Sequence, residues 1–136
     1  MLDDAQHALL EDFGALVLRI AVAVPLLAFH GLPKWTSYAE KSQGFPDPLG
    51  VGVEMSLNLT IFGELFCAVL LIAGLATRFA GVVIAGMFAV IVFGVHGADP
   101  WGEVELAVIY GLGALAVACL GPGRLSFDAV IDAIID

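Results

Sequence analysis

The residues best equipped for chemistry sit where lipid is expected. Arg19 and Glu64 each interrupt a long apolar run, and an isolated charge at membrane depth costs at least a few kcal/mol. Each therefore needs a partner. Counted from the ends of their runs at Gly31 and Met55, the two reach similar depths at ~1.5 Å rise per residue, which predicts an intramembrane Arg19–Glu64 ion pair. His30 follows Arg19 by 11 positions, about three helical turns, so both are expected on one inward face. His96 closes the third apolar run at the same side of the membrane, and Lys34, Asp99, Glu103 and Glu105 gather near it. The expected result is a polar mouth of two imidazoles, several carboxylates and a lysine above the buried pair. Arg19, His30, Glu64, His96 and Glu105 are thus the candidates for ligand or proton handling, with no catalytic residue and no metal site assigned. On an ideal helix Met87 falls half a turn away from His96, which argues against a Met–His copper site. A purely structural alternative is that the Arg–Glu pair only fixes helix register and the histidines only cap helix ends.

Four apolar runs must position these groups, each near the ~20 residues that cross the hydrocarbon core. They cover about 13–29, 57–76, 79–95 and 104–120, which predicts an all-α, four-transmembrane-helix antiparallel bundle forming one domain over residues 1–136. Thr77-Arg78 is only long enough to reverse the chain, and His96-Gly-Ala-Asp-Pro-Trp-Gly102 reverses it again. The first connection is longer and rich in Pro, Gly and aromatic residues. It is expected to fold over the bundle mouth as a capping loop. Small residues recur at Gly81, Ala85 and Ala89 and at Ala107, Gly111, Ala114 and Ala118, spacing that lets membrane helices approach closely. Pro25 predicts a mild kink in the first span. After Gly121-Pro-Gly, Ser126 is placed to cap a short tail helix with Phe127, Val130, Ile131 and Ile134 on one face. That tail either lies at the membrane interface or packs on the bundle, the second being favoured.

Composition limits the possible functions. The 136 residues are 60% hydrophobic and 14% charged, with a mean hydropathy of +0.99, beyond the range of soluble domains. The net charge of −9 opposes nucleic-acid binding. The partners expected are the lipid bilayer and another membrane protein or a second copy of the chain. Residues 1–12 carry four acids and no Lys or Arg, unlike the basic start of a secretory signal, so Met1 is read as the mature start. Cys67 and Cys119 lie in apolar stretches without metal-site spacing and read as packing residues. Lys34 and Lys41 oppose Arg78 and Arg124 in setting orientation. The arginines abut their helices directly, which leans towards cytoplasmic termini.

The sequence resembles the DoxX family of small four-helix integral membrane proteins. The likeness runs through His30-Gly-Leu-Pro-Lys34, Phe45-Pro-Asp-Pro-Leu-Gly50, Glu64, Gly74-Leu-Ala-Thr-Arg78, His96-Gly-Ala-Asp-Pro100 and Gly121-Pro-Gly-Arg-Leu-Ser-Phe-Asp128. It implies a multi-pass protein of the bacterial inner membrane associated with redox chemistry. On that resemblance the chain is a non-catalytic subunit that binds quinone or docks an oxidoreductase, of the thiosulfate:quinone oxidoreductase or oxidative-stress kind. A structural anchor or assembly subunit is the alternative reading, and a small oligomeric transporter is a third.

Overall fold

The structure is a computed structural model that describes residues 3–135, all helices and connecting turns. The start at Met1 lies outside the described residues. Four helices, Asp4–Thr36, Val53–Ala73, Thr77–Val95 and Trp101–Leu120, are long and apolar enough to cross a membrane. They are called here the first to fourth helices. The chain is an integral, multi-pass membrane protein whose surroundings are the bilayer.

The first helix outruns its expected span at both ends. Its start is fixed by a capping box in which the Asp3 side chain accepts from the Gln6 backbone N–H and Gln6 Oε1 accepts from the Asp3 backbone N–H. That signal is polar, so it lies outside any apolar run. At the other end, Gly31 and Pro33 do not stop the helix. It passes through Pro25, widens over Leu27–Gly31 so that the Leu32 N–H reaches back five residues to the Leu27 carbonyl, and resumes with Pro33 in its first turn. There the missing N–H of proline is tolerated.

Two further helices carry the same widened turn, the second at Phe62–Cys67 and the third at Ile91–Val95. Such π-type turns are rare and concentrate at functional sites. Those of the first and third helices lie towards the mouth at which the first helix ends, and that of the second lies at mid-span.

The core joins Leu26 of the first helix, Leu71 of the second, Ile84 and Phe88 of the third, and Ala114 and Val117 of the fourth. The most extensive packing is between the third and fourth helices. There a Cβ on Gly81 would meet the Ala114 carbonyl at 2.9 Å and the Ala118 methyl at 3.0 Å. The two small-residue stripes therefore meet at these positions, whereas Ala89 is exposed. Phe88 takes the inward place instead, 3.2 Å from a Cβ on Gly111.

Charged side chains satisfy the open backbone ends at the mouth near the termini. Asp128 accepts from the N–H groups of Ala76 and Thr77, capping the start of the third helix from a distant segment. Arg78 donates to the Ala118 and Cys119 carbonyls at the end of the fourth. Arg124 pairs with Asp12. Ser126 caps the tail helix, Phe127–Ile135, by accepting from the Ala129 N–H. No residue of that helix is buried, so the tail is held through its first turn and does not pack along its length.

Candidate functional site

Glu64 lies in the widened turn of the second helix and is 2% exposed. Its neighbour across the helix interface is Gly31, where a Cβ would fall 2.5 Å from the Glu64 carbonyl oxygen. Only glycine permits that approach, and it sets the first and second helices in register. Gly31, not the end of the first helix, is thus level with Glu64. Three residues farther on, Lys34 turns back so that Nζ stands 2.7 Å from Glu64 Oε2. The buried carboxylate is therefore compensated by Lys34.

This corrects the expected Arg19–Glu64 pair. With Gly31 level with Glu64, Arg19 lies twelve residues deeper, ~18 Å along the axis. Its level is that of Gly74 at the far end of the second helix, whose left-handed backbone (φ +69°) leaves room for the guanidinium. Arg19 donates through Nη1 to the Pro122 carbonyl and through Nη2 to the Leu125 carbonyl. It clamps the segment after the fourth helix and has no part in the polar mouth. Pairing depths from the ends of apolar runs failed because the two runs end at different heights. Arg19 and His30 both face inward, as expected, but three turns apart: Arg19 is buried at the mouth near the termini and His30 lines the cavity at the other.

Above the Lys34–Glu64 pair is a cavity of about 560 Å³ bordered by all four helices and by Phe45, Pro46, Pro48 and Leu49 of the first connection. The capping role expected of that loop is visible in this placement. Its shape is held by Asp47, which accepts from the Val51 and Gly52 N–H groups and from the Ser56 hydroxyl. The Ser56 and Gly52 hydrogen bonds, outweighing what little burial there is, keep the Asp47 carboxyl below the usual carboxylate range.

His30 and His96 both line the cavity. The His30 ring meets Tyr110 edge-on at 5.4 Å, and Phe88 stacks on the other side of Tyr110, also at 5.4 Å. His96 Nδ1 lies 2.6 Å from Asp99 Oδ2 at the rim. Glu105 is exposed and absent from the lining, whereas Glu103 belongs to it. The fourth helix faces the cavity with Glu103, Leu106, Ala107 and Tyr110, a helical i, i+3, i+4, i+7 stripe. Glu105 stands ~200° round the helix from Glu103.

Met87 also lines the cavity together with His96. The widened turn Ile91–Val95 re-phases the third helix between them, which an ideal 100° per residue does not anticipate. Among the described residues no three His, Cys, Asp or Glu side chains are grouped to hold a metal ion. The arrangement offers a hydrogen-bonding end, made by Lys34, Glu64, His30 and Tyr110, within mainly apolar walls whose other polar groups are Ser56, Thr60, His96 and Glu103. Tyr110 was not singled out in the sequence. The available signal was a lone polar aromatic in phase with Glu103.

The family model described as DoxX matches residues 14–97, more than half of the chain. It takes in the first helix from residue 14 onward, the second and third helices, and both connections between them. The chain is also similar to a protein of Haemophilus influenzae described as uncharacterized, 27% identical over an alignment of 124 residues that covers 85% of this chain and 82% of that one. No solved structure matches it. On the family match, the chain belongs to the DoxX family.

Proposed function

We propose that this DoxX-family protein is the membrane-embedded subunit of a redox system and that its capped cavity receives the head of a quinone. The observation that carries this reading is the Lys34–Glu64 pair at the base of a cavity of about 560 Å³, a volume within the ~300–1,000 Å³ typical of ligand sites. A quinone bound there supplies a two-electron, two-proton couple. Lys34 donates a hydrogen bond towards one ring oxygen, and His30 or the Tyr110 hydroxyl serves the other. Glu64 balances the ammonium and is the group nearest to it that can hold a proton. The mainly apolar walls favour the ring over water, and the loop held by Asp47 covers the site from above.

Electrons reach such a site from a partner oxidoreductase, so this chain acts as a binding subunit, without assigned catalytic residues. Its place in this reading is the bacterial inner membrane, in keeping with the bacterial relative. Both termini are read as cytoplasmic, because Arg78 and Arg124 directly abut their helices at the mouth near them whereas Lys41 lies in the longer connection. The structural-anchor reading is favoured for Arg19 alone, whose bonds tie the first helix to the tail.

The test is extraction and quantification of quinone from protein purified out of native membranes. The wild type is expected to carry quinone, with at least tenfold less in Glu64→Gln and Lys34→Gln. Quinone-free wild type, with partner activity unchanged in Glu64→Gln, contradicts the reading.

A further inference from the structure

The second and third helices leave their shared turn together, pack as far as Gly63 and Met87, and then part. The contact at Gly63 is close, for a Cβ there would lie 2.5 Å from the Met87 sulfur. Beyond it, the upper part of the second helix, Val53–Ile61, barely touches the third or fourth helix. The two backbones therefore form a V that opens towards the capped mouth, with the cavity inside it. Above, the V is closed where Pro48 Cβ sits 2.9 Å from the position of a Cβ on Gly94.

Between that floor and roof, the edges of the V are apolar. Leu59 and Phe62 form one edge, Gly86 and Val90 the other, and all four line the cavity. Leu59 and Phe62 are at the same time exposed. Phe62 stacks on Phe66, ring centroids 5.2 Å apart, and Phe66 is exposed without lining the cavity. The cavity wall thus runs continuously into the outer face of the second helix. At Gly86 a Cβ meets nothing within 4 Å.

We propose that the gap between Leu59/Phe62 and Gly86/Val90 is a lateral portal to the bilayer, used by a single-tailed amphiphile with a compact hydrogen-bonding head. The head passes sideways to Lys34 and Glu64, and the apolar tail stays in the gap with its far end among the lipids. Entry from the side fits a site whose roof is stapled by Asp47, and a tail that never leaves hydrocarbon has no desolvation to overcome. This inference rests on the quinone reading of the same cavity.

Binding of an isoprenoid-tailed quinone and of its tail-less head analogue is measured to the protein in phosphatidylcholine nanodiscs. The wild type is expected to bind the tailed form at least tenfold more tightly, each referred to its concentration in the bilayer. Gly86→Phe, and independently Leu59→Trp on the opposite edge, are expected to weaken the tailed form tenfold or more while leaving the head analogue within twofold. Circular dichroism and melting of each variant confirm that it folds, and Gly86→Ala, which fills little of the gap, is expected to behave as the wild type. Equal effects on both ligands, or none in either folded variant, overturn the portal and leave the quinone site standing. Failure of the wild type to bind either ligand overturns both.

Discussion

A carboxylate at the depth of Glu64 is tolerable only with a cation in contact, and the cation is four positions beyond His30 on a stretch that reads as loop. Lys34 sits 18% exposed above a 3% exposed Glu64 side chain. Removing one partner of such a pair costs about 3–5 kcal/mol because the other stays buried and uncompensated. Lys34→Met should therefore lower melting in detergent markedly, and Lys34→Met/Glu64→Gln should recover most of the loss. Arg19→Met and Glu64→Gln, acting ~18 Å apart along the axis, should instead add within about 0.5 kcal/mol. A strong coupling in that second cycle would restore the Arg19–Glu64 pair that apolar-run ends suggested. At this scale the sequence identified which side chains are costly in lipid but not their partners. The partner of Glu64 depends on a glycine contact, and those of Arg19 are backbone carbonyls over a hundred residues away.

At the scale of elements, the number of spans and the capping loop were legible because hydrophobic runs and Pro/Gly clusters report them directly. Three widened turns were not, since no residue type encodes them, and they are what re-phase Met87 with His96 and seat Glu64. The contact of Gly31 on the Glu64 carbonyl links two of them. Gly31→Ala should cost about 1–3 kcal/mol by overpacking, and should reduce quinone content by moving Glu64, both read on purified protein.

The cap of the third helix is another element-level device. Burial favours protonated Asp128, but its hydrogen bonds from Thr77 and Ala76 and the nearby Arg19 charge prevail and hold its carboxyl below the usual range. A lowered folded pKa contributes stability above the unfolded value of ~3.9, and that contribution fades as pH falls through the folded value. Melting measured from neutral to acid pH should drop less steeply below ~pH 4 in Asp128→Asn, which starts from a lower plateau. Identical slopes would show that the cap does not titrate with folding.

Taken whole, the molecule divides its charges between two jobs at opposite ends. Arg19, Arg78, Arg124, Asp12 and Asp128 tie termini and turns together at one mouth. Lys34, Glu64, His30 and Tyr110 face a cavity at the other. Two unequal ends were visible in the sequence from the clustering of His30, His96 and the Pro/Gly-rich loop. The depth of Arg19 was not, and it decides which end each charge serves. Charge removal at the arginine mouth should thus lower stability without changing ligand selectivity, and removal at the other should do both.

Photolabelling in native membranes with a photoreactive quinone, followed by mapping of the adducts, decides whether the capped cavity is the quinone site. Adducts on Leu59, Met87 or Tyr110, diminished by excess unmodified quinone and by Glu64→Gln, are the predicted result. Labelling scattered over outward residues such as Val82 and Leu112, or centred on the arginine mouth, and unaffected by competitor would contradict it.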